Sequence, residues 1–177
     1  MTIPNLITIM RLNLVPIVVV AIDQGRWGAA FALFAVAGIS DAADGLIARR
    51  YNLRTEFGAY IDPLADKALL VSIYVTLSIV GVLPGWLAVV VVSRDIMIVA
   101  GILVSRLMDR PMEIRPLLVS KLNTAAQIAF AGLVLGAMAF GFGMGEALTW
   151  SMVLVAGLTI VSAAAYLGRW LRHMAGA

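Results

Sequence analysis

Four aspartates fall within 26 residues of an otherwise apolar chain: Asp41, Asp44, Asp62 and Asp66. The stretch runs Asp41-Ala42-Ala43-Asp44-Gly45-Leu46-Ile47-Ala48-Arg49, then eight residues to Gly58, three to Asp62 and three to Asp66. A carboxylate at membrane depth costs about 2.5–3.5 kcal/mol on insertion scales. Four together demand a compensating charge, and a divalent cation is the simplest source. The chain has no cysteine and a single histidine, His173. Thiolate ligation is therefore excluded, as is a zinc site built on histidines. Oxygen donors alone point to Mg²⁺, Mn²⁺ or Ca²⁺.

Carboxylates gathered around two divalent ions suit phosphoryl-group chemistry. Ions about 3.5–4 Å apart clamp a diphosphate and stabilise its leaving oxygen. One carboxylate of four could instead take the proton of an attacking hydroxyl. Gly45 leaves the backbone beside Asp44 open to a ligand, and Ala48, one turn on, leaves room as well. Arg49 and Arg50 stand where a phosphate could be paired. Gly58 is expected to break the loop before the third apolar span, and Pro63 to sit in that span's first turn, where a missing N–H costs little. Two plainer alternatives exist. The aspartates could pair with nearby arginines and only orient helices, but that leaves four carboxylates clustered to no purpose. They could mark an ion or proton path, but the far halves of the spans hold no stepping stones.

A second polar group lies later in the chain. Arg94 and Asp95 fall inside an apolar run, and Ser120-Lys121-Leu122-Asn123-Thr124-Ala125-Ala126-Gln127 opens another. An Arg94–Asp95 pair with interhelical hydrogen bonds accounts for Asp95. It accounts less well for Arg94 and Lys121 both entering a bundle. Two cations beside a metal–diphosphate site suggest capture of a second, phosphate-bearing substrate. Near the N-terminus Asn5, Thr8 and Arg11 recur every three residues, and either cap a helix at the interface or face a bound headgroup.

The elements that must carry these groups follow from composition. The chain has 177 residues, 62% hydrophobic and 13% charged, against about 45–50% and about 25% in soluble domains. An all-α polytopic membrane protein is expected, with six transmembrane helices in one bundle and a single domain over residues 1–177. The spans are placed at about 5–22, 27–49, 59–80, 84–107, 118–140 and 147–171, each near the roughly 20 residues a bilayer requires. Breakers separate them at Asp23 to Gly25, Asn52 to Gly58, Gly81 to Gly85, Asp109 to Pro116 and Gly141 to Gly145. Met1 to Asn5 carry no basic residue, and no small-residue cleavage site follows the first span, so that span is expected to remain as a helix.

Charge fixes the expected orientation. Arg49, Arg50, Arg54, Arg106, Arg110, Arg115, Lys121, Arg169 and Arg172 gather at one end of the spans, and Arg26 alone at the other. The positive-inside rule then makes both termini cytoplasmic, and Trp27, Trp86 and Trp150 mark the opposite interface. Asp41 and Asp44 share a helix face, as do Asp62 and Asp66. A short connection makes spans two and three antiparallel neighbours, so the pairs can converge at the cytoplasmic end.

The aspartate stretch resembles, position for position, the CDP-alcohol phosphatidyltransferase signature D-x2-D-G-x2-A-R-x8-G-x3-D-x3-D: Asp41, Asp44, Gly45, Ala48, Arg49, Gly58, Asp62 and Asp66. The resemblance implies two divalent ions, Mg²⁺ or Mn²⁺, on Asp41, Asp44, Asp62 and Asp66, with Asp66 also the base toward the acceptor hydroxyl. It implies a CDP-binding group of Asp44, Gly45, Ala48, Arg49 and Gly58, to which Asn5 and Thr8 are added. Donor and product would be CDP-diacylglycerol and CMP. Ile3-Pro4-Asn5-Leu6-Ile7-Thr8 with Arg11 is similar both to phosphatidylglycerophosphate synthases and to CMP-forming cardiolipin synthases. Asp62 to Lys67 followed by Ser72 to Val75, Ser93-Arg94-Asp95-Ile96-Met97 and Ser120 to Gln127 resemble the second subfamily more. The acceptor implied is phosphatidylglycerol, or glycerol 3-phosphate in the sister subfamily, with its phosphate on Arg94, Lys121 and Arg115. A homodimer in a bacterial inner membrane, its site facing the cytoplasm, is the expected setting, with membrane lipids as partners and no nucleic acid. The alternative of another class is a non-catalytic cation-binding scaffold.

Overall fold

The structure is a computed structural model that describes residues 3–51, 56–108 and 118–175, with side chains described at 12–40, 67–101, 104, 105, 107, 108 and 118–175. Its described residues form six helices and no strand: α1 Ile3–Asp23, α2 Trp27–Tyr51, α3 Glu56–Ile79, α4 Gly85–Leu107, α5 Leu118–Phe140 and α6 Gly145–Ala175. The six expected spans are thus six helices, with ends shifted by a few residues. Among the described residues α5 and α6 are long and apolar enough to cross a membrane.

Glycine ends the odd-numbered helices where the sequence has its breakers. Gly25 adopts φ 67° and Gly81 φ 78°, conformations open to a residue without Cβ. Around Gly25, its N–H donates to Ile22 and that of Arg26 to Ala21 (3.0 and 2.8 Å). Around Gly81, its N–H donates to Ser78 and that of Val82 to Leu77 (3.2 and 2.9 Å). Both are the paired closure that satisfies the last carbonyls of a helix.

One expectation is corrected here. α3 begins at Glu56, three residues ahead of the expected span. Gly58 therefore lies in its first turn rather than in a loop, where N–H groups have no partner within the helix and glycine is tolerated. Pro63 is the eighth residue of α3, past the first turn. There it has no N–H to give the carbonyl four residues earlier.

The chain divides into two compact units. The first comprises Met1–Leu83 and Ala131–Met144. In it α1 packs against both α2 and α3. Val18, Ala21 and Ile22 of α1, Ala30, Phe34 and Ala37 of α2, and Leu69, Leu70, Ile73, Tyr74 and Leu77 of α3 are buried. Their steps of three and four residues put each set on one helix face. The last turns of α5 meet α2 through two glycines. A Cβ on Gly132 would stand 3.3 Å from Phe34 Cε1, and one on Gly136 would stand 3.2 Å from Phe31 Cε2. The glycines make notches that admit two phenyl rings, and Phe140 meets Phe31 edge-on at 5.6 Å between centroids.

The second unit comprises Pro84–Phe130 and Gly145–Ala177. Its buried residues include Leu87, Ala88 and Val91 of α4, Phe130 of α5, and Val155, Ala156 and Tyr166 of α6. Polar side chains share this interior: Arg94, Asp95, Ser105, Asn123, Gln127, Thr159 and Ser162.

Candidate functional site

Two helices carry the four aspartates. α2 continues through Asp41 and Asp44, and α3 through Asp62 and Asp66. Residues three or four apart on a helix are surface neighbours, and that is the spacing within each pair. α1 packs against both carrier helices. The side chains of Asp41, Asp44, Gly45, Ala48, Arg49, Gly58, Asp62 and Asp66 lie outside the described residues, as do those of Asn5 and Thr8 and the whole of Arg115. Among the described residues, no three of His, Cys, Asp and Glu gather into a metal-ligating group. The donor set nevertheless fits a hard divalent cation. It offers carboxylate oxygens without a competing thiolate or imidazole, the choice of Mg²⁺ and Mn²⁺ rather than of zinc or copper.

The second polar group is described in full at Arg94. This residue is 3% exposed, and its Nη1 donates to Asp95 Oδ1 at 2.7 Å, a buried ion pair within α4. Its Nη2 donates to Ser120 Oγ of α5 and to Ser162 Oγ of α6. One guanidinium thus joins three helices, a use to which its planar array of donors is suited. Removing one partner of a buried pair costs about 3–5 kcal/mol, because a charge is left uncompensated. Arg94 Nε is buried without a partner among the described residues. Lys121, by contrast, is exposed.

One turn away lies a neutral cluster. Thr159 Oγ1 of α6 is 2.8 Å from Asn123 Oδ1 and 2.7 Å from the Val155 carbonyl, and accepts from Gln127 Nε2 at 3.2 Å. Asn123, Gln127 and Thr159 are all fully buried. Further along, Trp170 Nε1 is shared between the Gly101 carbonyl at 3.1 Å and Ser105 Oγ at 3.0 Å, both on α4. Contacts at Ser162 and then Trp170 meet α4 at Arg94 and then Gly101 and Ser105, so α4 and α6 run parallel. The order of the α5 contacts makes α5 antiparallel to both.

Sequence reading singled out Arg94, Asp95, Asn123 and Gln127 but missed their partners on α6. The available signal is the spacing of Thr159, Ser162, Tyr166 and Trp170, four polar-tipped residues three or four apart in an apolar helix. It also missed Gly132 and Gly136, a G-x-x-x-G inside α5, and noted only Gly141 and Gly145, which flank a turn.

Comparison with known proteins agrees with the motif. The CDP-alcohol phosphatidyltransferase family model matches residues 1–162. A Drosophila melanogaster protein named probable cardiolipin synthase (CMP-forming) is 39% identical over 153 residues, covering 77% of this chain and 48% of that protein. The Homo sapiens cardiolipin synthase (CMP-forming) is 32% identical over 157 residues, covering 80% and 52% respectively. A Mycobacterium tuberculosis protein named probable phosphatidylglycerophosphate synthase is 34% identical over 179 residues, covering 97% and 83%. The chain spans about half the length of the fly and human relatives. The family match spans residues 1–162, a range that includes the four aspartates, and the chain belongs to the CDP-alcohol phosphatidyltransferase family.

Proposed function

We propose that this protein is a CMP-forming cardiolipin synthase, which transfers a phosphatidyl group from CDP-diacylglycerol to phosphatidylglycerol. The observation that carries this reading is the eight-residue motif from Asp41 to Asp66, whose residues lie on α2 and α3. The fly and human relatives favour the cardiolipin-forming branch.

On this reading Asp41, Asp44, Asp62 and Asp66 hold two divalent cations, Mg²⁺ or Mn²⁺. When bound, these supply charge neutralisation of the donor's diphosphate and of the phosphate that departs. Gly45, Ala48, Arg49 and Gly58, with Asn5 and Thr8, take the CDP part of the donor. Asp66 accepts the proton of the free glycerol hydroxyl. That oxygen then bonds to the phosphorus bearing diacylglycerol, the diphosphate P–O bond breaks, and CMP carries off the electron pair. Of the three cations expected at the acceptor's phosphate, Arg94, Lys121 and Arg115, we assign direct contact to Lys121 and Arg115, with Arg94, engaged by Asp95, Ser120 and Ser162, behind them. The whole chain acts as one catalytic domain of six membrane spans, termini and site on the cytoplasmic side of a bacterial inner membrane, as a homodimer.

A second reading keeps the chemistry and makes glycerol 3-phosphate the acceptor. The mycobacterial relative favours it, since that similarity covers 97% of this chain and 83% of the relative. The deciding experiment is CMP release by the purified protein in liposomes with CDP-diacylglycerol and Mg²⁺ or Mn²⁺, offered either acceptor, with lipid products read by mass spectrometry. Cardiolipin formed only from phosphatidylglycerol is the expected result. Phosphatidylglycerophosphate formed from glycerol 3-phosphate would select the second reading. No CMP with either would sink both, and would favour a cation-binding scaffold.

A further inference from the structure

Arg94 does not have its charge to spare. Its Nη1 is engaged by Asp95 at 2.7 Å and its Nη2 by two serine hydroxyls. A phosphate is held best by the open fork of a guanidinium; here both terminal nitrogens are engaged, and Nε, without a partner among the described residues, is buried. Lys121 has the opposite surroundings. It is exposed, and no ion pair joins it among the described residues. Ser120, one of the two serines that Arg94 holds, is the residue immediately before Lys121. Both sit in the first turn of α5, which starts at Leu118. Helix ends fray because their first N–H groups lack partners within the helix. Here the turn is tied twice, by Arg94 on Ser120 Oγ and by Thr124 Oγ1 donating to the Ser120 carbonyl at 3.1 Å.

We infer that Arg94 is a positioning residue for the acceptor: through Ser120 it fixes the first turn of α5, and with it the point from which the Lys121 ammonium reaches the acceptor's phosphate. This rests on the role proposed above for Lys121. Ser162 provides an internal control. It accepts from the same Nη2 at 2.8 Å, but it stands on α6 and has no covalent tie to Lys121. A purely structural strut would feel the loss of either hydroxyl alike. A positioning strut would pass only the loss at Ser120 to the acceptor.

The test compares Ser120→Ala, Ser162→Ala and Arg94→Lys with the parent in the full-length protein. Two readouts are taken: hydrogen exchange of the Leu122 to Ala126 amides without substrate, and KM for each substrate in CMP release. Ser120→Ala is expected to speed that exchange and raise the acceptor KM about tenfold, the worth of one hydrogen bond to a charged group. Its kcat and its KM for CDP-diacylglycerol should stay put. Ser162→Ala should leave both readouts near the parent's. Arg94→Lys should follow Ser120→Ala, since an ammonium cannot serve three helices as the planar fork does. Equal effects of the two serine variants, or an unchanged α5 turn in Ser120→Ala, would overturn the inference. A parent protein that releases no CMP with either acceptor would overturn the proposed function instead, while faster exchange in Ser120→Ala alone would still support the anchoring of α5.

Discussion

Asp66 is given two tasks, ligation and proton transfer, and an amide separates them. Asparagine keeps an oxygen donor but cannot accept the hydroxyl proton. A positioned base contributes about 10²–10⁴-fold to rate. Asp66→Asn is therefore expected to lower CMP release by about that factor while CDP-diacylglycerol still binds, as tested by steady-state turnover beside a donor-binding titration. Unchanged turnover would remove Asp66 as the base. Thr159 offers a second test at this scale. Thr159→Val keeps the shape and strands Asn123 Oδ1 and Gln127 Nε2 with one partner fewer. Interhelical hydrogen bonds within membranes average about 0.6 kcal/mol and reach about 1.7. Two bonds lost at one buried point should cost about 1–2 kcal/mol, readable as a lowered unfolding midpoint in mixed detergent micelles.

At the scale of the element, α2 and α5 meet through Phe31 and Phe34 seated against Gly136 and Gly132. Gly136→Leu pushes side-chain atoms into a contact already at 3.2 Å for the first carbon. Overpacking of this kind costs about 1–3 kcal/mol. Combining it with Phe31→Ala should recover part of that loss, and a double-mutant cycle in detergent unfolding reads the coupling; additive costs would mean the ring does not occupy the notch. Much of this level was legible beforehand. Gly25, Gly81 and Gly141 end α1, α3 and α5 because a left-handed residue closes a helix whatever surrounds it, so local sequence suffices. The start of α3 was not legible, since Gly58 read as a loop breaker and Pro63 as a first-turn residue, while the helix runs through both from Glu56. Nor were the α5 notches or the partners of Arg94. Gly136 and Phe31, or Arg94 and Ser162, are far apart in sequence, and only the packed structure pairs them. At the site, the spacing of Asp41, Asp44, Asp62 and Asp66 carried the resemblance to the family that the match over residues 1–162 then showed, while their side chains lie outside the described residues.

For the molecule as a whole, the asymmetry of charge makes the sharpest expectation. Arg26 stands in the α1–α2 turn, whereas Arg169 and Arg172 lie in the last turns of α6. Trp27, Trp86 and Trp150 lie near the beginnings of α2, α4 and α6, and in α6 that is the end opposite Arg169 and Arg172. The chain has no cysteine, so any one introduced is a unique label. Gln24→Cys should react with a membrane-impermeant maleimide on intact cells, and Ala175→Cys only after permeabilisation. Both positions are exposed, so the contrast reports sidedness rather than burial. The reverse pattern would invert the orientation and put the aspartates outside the cytoplasm.

The two tethers between α4 and α6 have a mechanical meaning. Arg94 holds Ser162, and seven residues further along α4, Gly101 holds Trp170. At about 1.5 Å per residue the clamps stand about 10 Å apart. Two parallel rods pinned at two heights resist shear: neither slides along the other without breaking both pins. They can tilt or rotate only as a pair. A lipid with two acyl tails would have to rupture both clamps to thread between these rods, so the lipids of the proposed reaction are not expected to enter by that seam.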